Sequence, residues 1–197
     1  MAEGAQLGLF GGAEDRPEGL SYWPDLLDPT EEIALIDRIA ALPFAPFQFH
    51  GFEGKRRTVS FGWQYRFDGS GLAQTDPMPD WLLPVRDKAA SFAGIQAAAL
   101  DHALLIEYRE GAGIGWHRDR PDFGEVVGIS LASPAPLRFR RRQGAKWQRF
   151  SLLAEPRSAY HLTGPARAEW EHSLVQVEAL RYSITFRTLR SRPPERH

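Results

Sequence analysis

The stretch RYSITFR, residues 181–187, alternates like a β-strand with two unlike faces. Its apolar side chains share one face: Tyr182, Ile184 and Phe186. Its polar side chains share the other: Arg181, Ser183, Thr185 and Arg187. One interpretation is an edge strand whose polar face lies in water. The other is that both arginines point into a pocket and hold anions. Because they would lie about 20 Å apart along the strand, they would need two partners or serve two roles.

The composition is that of an ordinary globular chain, large enough for one domain with its own core. The 197 residues are 43% hydrophobic and 25% charged, with a formal net charge of −1. This charge gives no overall attraction to nucleic acid or membrane, so a basic binding face would have to be local. Arginine outnumbers lysine by 21 to 3, which suits recognition of phosphate or carboxylate but equally reflects a GC-rich genome.

The chain contains no cysteine, which excludes disulfides, cysteine-ligated zinc and thiol nucleophiles. No apolar run approaches the length of a membrane span, and the N-terminus lacks the basic-then-apolar order of a signal peptide. We therefore expect a cytoplasmic protein that does not enter a membrane, most simply a monomer.

Three segments are expected: a flexible tail over residues 1–20, one domain over 21–190, and a short tail over 191–197. A helix is predicted to begin at the cap residue Asp28 and to end at Pro43. A second, weaker helix is predicted within DWLLPVRDKAASFAGI, and the preceding DGSGLAQTDPMP is predicted to be a loop.

From residue 102 onward the pattern changes to short strands separated by Gly, Pro and charged turns. The predicted strands are HALLIEYR, EVVGISLA, PLRFRRR, WQRFSLLA, RSAYHL, HSLVQV and RYSITFRTL. Short strands at this spacing are typical of a sandwich, a jelly roll or a barrel.

The segment GWHRDRPD places His117 and Asp119 two residues apart, so in extended chain an imidazole and a carboxylate could hold one ion. Such a pair often occurs by chance, and a third ligand is needed. His172 starts a strand that leads by a short turn to the arginine strand, whereas His102 and His161 are the other strand histidines. Two histidines and one carboxylate on a β scaffold suggest a facial triad for Fe(II), with positions left for a substrate and O2.

Together these motifs resemble the AlkB family of Fe(II)- and 2-oxoglutarate-dependent dioxygenases. The matching segments are EYREGAGIGWHRD, VVGISLASPAPLRFR, LTGPARAEWEHSL and RYSITFR, and KRRTVSFGWQYRF is similar to the substrate lid of that family. The resemblance implies a mainly β fold with flanking helices, a double-stranded β-helix or jelly roll. It also implies Fe(II), 2-oxoglutarate and O2 as cofactor and cosubstrates.

The resemblance implies a role for each matching position. The iron ligands would be His117, Asp119 and His172. The contacts to 2-oxoglutarate would be Tyr108, Arg181 and Arg187. Arg181 would pair with the distal carboxylate, and Arg187 would lie nearer the iron, beside the metal-bound carboxylate or Asp119. Two arginines on one strand face would then serve opposite ends of one pocket, each as a bidentate fork.

One position departs from the family pattern. The family usually carries Asn two residues before the tyrosine, and Ile106 stands there in this chain. Ile106 and Tyr108 would share a strand face, so an amide is missing from the cofactor side. We expect weaker or differently supported binding of 2-oxoglutarate rather than its loss.

The activity that the resemblance implies is oxidative demethylation of N-alkylated bases, with loss of formaldehyde, in the repair of alkylated DNA or RNA, DNA ahead of RNA. One alternative is a hydroxylase of the same kind acting on a protein or a small molecule. Another is a non-catalytic jelly-roll binding module.

Candidate substrate contacts lie in the lid segment and beside the metal motif. Arg57 and Tyr65 match the lid pattern, and Arg118 would face away from the iron toward substrate. Aromatic groups beside basic ones could stack a flipped base and hold phosphates. The hairpin RFRRRQGAKWQR could contact phosphate or could equally be a solvated hairpin.

The N-terminal arm carries a lone apolar cluster, QLGLF at residues 6–10. It resembles the short Gln-Leu-x-Leu-Phe peptides by which bacterial repair and replication proteins dock on the sliding clamp. The contacts would come from Gln6, Leu7, Leu9 and Phe10. The alternative is hydrophobicity near a terminus that has no function.

Overall fold

The computed structural model describes residues 16–49, 52–66 and 71–190. The predicted C-terminal tail and the clamp-like peptide lie outside these residues. Residue 20, the last residue assigned to the N-terminal tail from the sequence, already belongs to the sheet. Leu20 is 5% exposed and faces Leu162 on the neighbouring strand, so burial of its side chain holds the chain there.

The strands, numbered in chain order, are β1 Leu20–Trp23, β2 Ala45–Phe49, β3 Phe52–Phe61, β4 Trp63–Arg66, β5 Gly71–Gln74, β6 His102–Tyr108, β7 Ile114–His117, β8 Phe123–Leu131, β9 Ala135–Gln143, β10 Lys146–Ala154, β11 Ala159–Leu162, β12 Glu171–Leu174 and β13 Arg181–Leu189. The helices are α1 Pro29–Ala40, α2 Leu83–Ala93 and α3 Gly164–Ala168. Single 3₁₀ turns span Asp80–Leu82 and Ala97–Ala99.

The strands form two facing sheets and a small hairpin. The major sheet has the order β1-β11-β8-β13-β6-β3-β2, the minor sheet has the order β10-β9-β12-β7, and β4 pairs with β5. All pairings are antiparallel. The predicted jelly-roll fold class is confirmed.

Strand β13 lies in the middle of the major sheet, between β8 and β6. The edge-strand interpretation is therefore wrong, since all seven residues 181–187 are buried. Their apolar side chains enter the core beneath α1 and α2, which also contains Leu35, Ile39 and Val85. Their polar side chains consequently point the other way, into the space between the two sheets.

Local sequence signals account for the first helix. The Asp28 side chain accepts a hydrogen bond from the Glu31 backbone N–H at 2.8 Å, and the Glu31 side chain accepts one from the Asp28 backbone at 2.9 Å. This reciprocal cap satisfies two amides that the helix itself cannot pair. Glu32, on the buried face of α1, accepts from Arg157 at 2.8 Å and so ties the helix to the turn before β11.

Two predicted boundaries differ from the structure. Part of the predicted loop at 68–79 is strand β5, whose Gly- and Ala-containing sequence carries no strand signal. The predicted strand HSLVQV ends at Leu174 instead of residue 177. Among the described residues, no helix is both long enough and apolar enough to cross a membrane.

Candidate active site

Two strands of the minor sheet bring the predicted metal ligands together. His117 ends β7 and faces His172 on β12 in the pairing register. Their ring centroids are 4.3 Å apart. Asp119 lies two residues after the end of β7, and its Oδ2 lies 3.6 Å from His172 Nε2.

An irregularity in the β7–β12 pairing places His117 on the inner face. Between the pairs His172–His117 and Leu174–Ile114, β7 contains one residue more than β12. Such a bulge turns a strand locally and re-aims its side chains. Ile114 and His117 are three residues apart and yet both face inward. Gly115 lies in the bulge, and its carbonyl oxygen is 2.9 Å from His117 Nδ1.

Both imidazole rings are held in the neutral form that can bind a metal. Burial lowers the pKa of His117. Burial, followed by the neighbouring His117, lowers the pKa of His172 to about 3. With Nδ1–H of His117 donating to Gly115, its Nε2 keeps a free lone pair, the tautomer that a metal ligand requires.

Arg187 on β13 holds the carboxylate of Asp119 in place. Arg187 donates to Asp119 Oδ1 from Nε at 3.0 Å and from Nη2 at 2.7 Å, which leaves Oδ2 directed toward His172. Burial opposes the charge on Asp119, but the adjacent positive charge of Arg187 is the largest opposing effect, and the pKa of the carboxyl stays well below its usual range. His102 Nδ1 lies 3.4 Å from Arg187 Nη1, and burial keeps the pKa of His102 well below its usual value.

Arg181, at the other end of the same strand face, is only 2% exposed. Its Nε donates to the Ser130 hydroxyl at 3.2 Å. Its guanidinium carbon lies 5.2 Å from the ring centroid of Tyr108. Among the described residues, no carboxylate lies within ion-pair distance of Arg181. A buried cation with polar neighbours but no acid is a ready site for an anion.

A second phenol, Tyr160 on β11, faces Arg181 and was not predicted. Its ring crosses β8 over Gly128, where an added Cβ would lie only 2.2 Å from the ring. Burial raises the pKa of Tyr160 to about 12, while the charge of Arg181 opposes the rise. The glycine in EVVGISLA was the one local signal that a ring lies against β8.

One predicted substrate contact, Arg57, lies away from this pocket. Arg57 pairs in register with Glu107 and donates to its carboxylate from two nitrogens, each at 2.8 Å. Glu107 faces Tyr182 in the helix-side layer, so Arg57 lies on the wrong face of the sheet. Its neighbour Arg56 points inward instead, within electrostatic range of Tyr108 and His117.

The other two predicted substrate contacts lie near the metal motif. The guanidinium carbon of Arg120 sits 3.3 Å from the ring centroid of Tyr65, so the β4–β5 hairpin touches the loop that carries Asp119. The exposed Arg118 reaches the carbonyl oxygen of Ala168 at 3.5 Å. Both side chains therefore lie around the cluster rather than within it.

The alternative histidine does not join the cluster. His161 is adjacent to the inward-facing Tyr160 and therefore projects from the opposite face of the sheet. There it pairs with Glu125 at 2.6 Å and lies edge-on to Phe92. Ile106, by contrast, is 6% exposed and packs between the sheets with Tyr108, where the family pattern has an amide.

Comparison with known proteins gives the class of enzyme. Residues 19–187 match the family model described as the 2OG-Fe(II) oxygenase superfamily. The chain belongs to this superfamily, whose members use Fe(II), 2-oxoglutarate and O2. The predicted class, a 2-oxoglutarate-dependent dioxygenase, and its predicted cofactors are thereby confirmed.

Several relatives carry AlkB-type names, which confirms the resemblance. An alkylated DNA repair protein ALKBH8 homolog of Arabidopsis thaliana is 24% identical over 211 residues, 89% of this chain and 59% of the relative. A probable RNA/DNA demethylase ALKBH6 of Danio rerio is 29% identical over 130 residues, 65% and 53% of the two chains. The chain thus spans little more than half the length of these two relatives. An alpha-ketoglutarate-dependent dioxygenase AlkB homolog of Caulobacter vibrioides is 29% identical over 169 residues, 76% and 74%.

Solved structures agree on the fold. The structure of OsALKBH1 superposes with a TM-score of 0.65 at 16% identity, covering 88% of this chain and 99% of that chain. A 2OG-Fe(II) oxygenase family oxidoreductase from Burkholderia pseudomallei gives a TM-score of 0.61 at 19% identity, with 88% and 86% covered. At these identities the likeness concerns architecture alone.

The Arg187–Asp119 pair generates a stability prediction. Arg187→Met should lower the free energy of unfolding at pH 7 by about 3–5 kcal/mol, because a buried carboxylate loses its cation. In the wild type the depressed pKa of Asp119 stabilises the fold above the ordinary carboxyl pKa, and this stability is lost as pH falls below it. In the variant the folded-state pKa rises, so the deficit should shrink on acidification. Urea unfolding from pH 7 to pH 4 measures it.

Arg109→Met is the control, since Arg109 also pairs with a carboxylate but is largely exposed. It should cost about 0–1 kcal/mol. An equal loss in both variants, or a deficit that grows on acidification, would contradict the role given to Arg187.

Proposed function

We propose that this chain is an oxidative demethylase of N-alkylated bases in nucleic acid, DNA ahead of RNA, that acts as a cytoplasmic monomer. The observation that carries the proposal is the meeting of two sets of side chains between the sheets. One is a His–Asp–His set suited to Fe(II), and the other is a buried arginine without an acidic partner, suited to a dicarboxylate. The names of the relatives, an alkylated DNA repair protein and a probable RNA/DNA demethylase among them, support the substrate class.

In this proposal Fe(II) is held by His117, Asp119 and His172. Two neutral imidazoles and one ionised carboxylate fit its preference and leave coordination positions open. The 3.6 Å between His172 Nε2 and Asp119 Oδ2 exceeds the roughly 3 Å expected for adjacent ligands each about 2.1 Å from a metal. No group of three such side chains in the described part of the chain has its donors closely gathered. Ligation would therefore draw these side chains together by small rotations.

The cosubstrate would lie along the polar face of β13. Arg181 and Tyr108 would bind the distal carboxylate of 2-oxoglutarate, and Arg187 would lie at the metal end. The support is the contrast between the two arginines: Arg187 already has Asp119, whereas Arg181 has hydroxyl neighbours and no acid within the described residues. Tyr160 adds a further hydroxyl at the distal end.

When bound, Fe(II) would supply activation of O2, coupled to decarboxylation of 2-oxoglutarate to succinate and CO2 and to hydroxylation of an N-methyl carbon that then leaves as formaldehyde. The chain's own residues orient the cosubstrate and enclose the pocket. Arg181 fixes the direction of the dicarboxylate through a planar fork. Arg187 keeps Asp119 ionised and immobile. Ile106 and Leu174, buried between the sheets, keep water out of the pocket.

Substrate would enter beside the β4–β5 hairpin. Tyr65 stacked on Arg120 pairs an aromatic ring with a cation next to the Asp119 loop, which suits an unstacked base and its phosphate. Arg118 is exposed nearby and keeps its proposed role, as does Tyr65. Arg57 is left out, since Glu107 holds it on the other face of the sheet.

The first prediction concerns the reaction. Formaldehyde and succinate should form together when the protein, with Fe(II) and 2-oxoglutarate, is screened against methylated DNA and RNA oligonucleotides. His172→Ala should abolish both products, because a ligand is lost, while His161→Ala on the opposite face should keep them. A dead His161 variant beside an active His172 variant would overturn the ligand assignment. Succinate coupled to a protein or small-molecule substrate, with no formaldehyde from any oligonucleotide, would favour the hydroxylase alternative.

The second prediction concerns the anion site. Arg181→Lys should weaken binding of 2-oxoglutarate by about 1–3 kcal/mol, because a bidentate fork becomes a point charge. Anaerobic calorimetric titration with Fe(II) present gives the dissociation constant. Arg56→Lys is a matched control on the inner face. An unchanged dissociation constant for the Arg181 variant would show that Arg181 does not bind the distal carboxylate of 2-oxoglutarate.

The third prediction concerns the missing amide. Ile106→Asn should tighten 2-oxoglutarate by about 0.5–1.5 kcal/mol, the net worth of one hydrogen bond. The same titration measures it, with Ile106→Val as a control that changes packing without adding an amide. Weaker binding in the Asn variant than in the Val variant would mean that the pocket has adapted to an aliphatic side chain.

The fourth prediction concerns the N-terminal peptide, which lies outside the described residues. We propose that Leu9 and Phe10 insert into an apolar groove of a sliding clamp, with Leu7 beside them and Gln6 bonded at the rim. Each large side chain buried contributes about 1.5–3 kcal/mol before ordering costs, so the contact should be micromolar. The double change Leu9→Ala, Phe10→Ala should abolish clamp binding and spare turnover of a free oligonucleotide. If a titration of the clamp with the N-terminal peptide shows no saturation up to millimolar peptide, the proposed clamp binding is wrong. The main reason for placing DNA ahead of RNA is then lost as well.

A further inference from the structure

The outer face of the minor sheet carries a row of stacked arginine and tryptophan side chains. We define the Arg–Trp ladder by its members: Trp116, Arg138, Arg140, Arg142 and Trp147. Alternation along β9 sends Leu137 and Phe139 into the core and the three arginines outward. Trp116 next to the inward His117, and Trp147 opposite Arg142 in the β9–β10 register, lie on the same outer face.

The ladder is continuous across the sheet. The guanidinium carbon of Arg140 lies 4.4 Å from the ring centroid of Trp116 and also 4.4 Å from that of Trp147. Arg138 lies 5.1 Å from Trp116, and Arg142 lies 5.2 Å from Trp147. The ladder therefore runs from the edge strand β7 to the opposite edge strand β10, about 14 Å at three strand spacings.

This face is strongly basic although the whole chain is not. Glu171 accepts from Arg140 at 2.6 Å, and Arg138 donates to the Ser173 hydroxyl at 3.2 Å. Arg142 and the exposed Arg149, which faces Arg140 in register, have no acidic partner among the described residues. The chain has a formal net charge of −1, so this concentration of cations is a local feature.

We propose that the ladder binds single-stranded nucleic acid that flanks the reacting base. The inference rests on the proposed function and adds to it the surface that holds the rest of the polymer. Arginines spaced along the face match successive phosphates, and the two tryptophan rings offer flat surfaces on which unpaired bases stack. A duplex hides its base faces, so it would use the arginines without the tryptophans.

The position of the ladder connects it to the pocket. Trp116 immediately precedes His117, so the strand that presents a proposed iron ligand on its inner face starts the ladder on its outer face. The loop after β7 carries Arg120, which stacks on Tyr65 of the β4–β5 hairpin. A strand whose base enters beside Tyr65 would pass over the β7 edge and continue across the ladder toward β10.

The competing explanation is that the stacks only stabilise the sheet, since cation–π contacts between exposed side chains also favour the folded state. The two explanations differ in what a loss of charge changes. A stabilising ladder would affect unfolding alone, whereas a binding ladder would affect affinity for polynucleotide and its dependence on salt.

The test is fluorescence anisotropy of labelled, unmethylated 15-nucleotide oligothymidylate and oligouridylate with the full chain, without turnover. The double variant Arg138→Gln, Arg142→Gln should bind both about fivefold to tenfold more weakly, and its salt slope should fall by about 1.4, two contacts at about 0.7 each. Trp147→Leu should weaken binding with the salt slope unchanged. The control Arg38→Gln, Lys88→Gln removes two charges from α1 and α2, on the far side of the major sheet, and should bind as the wild type does.

Each remaining outcome has one meaning. Three outcomes would contradict binding by the ladder. They are equal affinity of the wild type and the Arg138, Arg142 variant, equal weakening in the control variant, and no binding by the wild type. A duplex that competes as well as the single strand would overturn the role of the tryptophans. If binding depends on the ladder but no methylated oligonucleotide yields formaldehyde, the proposed demethylase function is wrong and the proposed binding surface is supported.

Discussion

The ion pair between Arg187 and Asp119 joins the two sheets at the point where the chemistry is proposed to occur. Arg187 belongs to the central strand of the major sheet, and Asp119 follows an edge strand of the minor sheet. Neither charge could be buried alone without a cost of several kcal/mol, so each requires the other. Because Arg187 takes Oδ1 with two donors, Oδ2 is left toward His172. The contact that closes this end of the sandwich therefore also orients the carboxylate.

The opposite end of the same strand face is built differently. Arg181 is even more deeply buried than Arg187, but its neighbours are the hydroxyl groups of Ser130 and two tyrosines. Burial lowers the pKa of its guanidinium, so the folded chain retains a cation in an unfavourable place. An entering carboxylate would relieve that cost, and binding energy would then favour one direction of a dicarboxylate along β13. This contrast between a paired and an unpaired arginine gives the pocket its polarity.

Local patterns were enough to predict much of this arrangement, and non-local pairing decided the rest. The alternation of β13 and the cap of α1 were readable because each depends on residues within a few positions of one another. The choice between Arg56 and Arg57 was not, since it depends on the register of β3 against β6, in which Arg57 meets Glu107. Tyr160 reaches Arg181 only because β11, β8 and β13 are neighbours in the sheet. Strand β1 follows a glycine, and its pairing partner β11 lies far away in sequence. Strand β5 pairs with the neighbouring β4, but its Gly- and Ala-containing sequence carries no strand signal.

Strand β7 shows how one irregularity serves both faces of the minor sheet. In a regular strand Ile114 and His117 would point to opposite faces, which is why alternation did not predict β7. The extra residue opposite β12 allows Ile114 to pack inward and His117 still to face His172. Gly115 supplies the carbonyl that sets the His117 tautomer, and Trp116 is turned outward onto Arg138 and Arg140. Without the bulge, keeping Ile114 in the core would send His117 outward and Trp116 inward, so the proposed metal ligand and the start of the Arg–Trp ladder depend on the same local pairing.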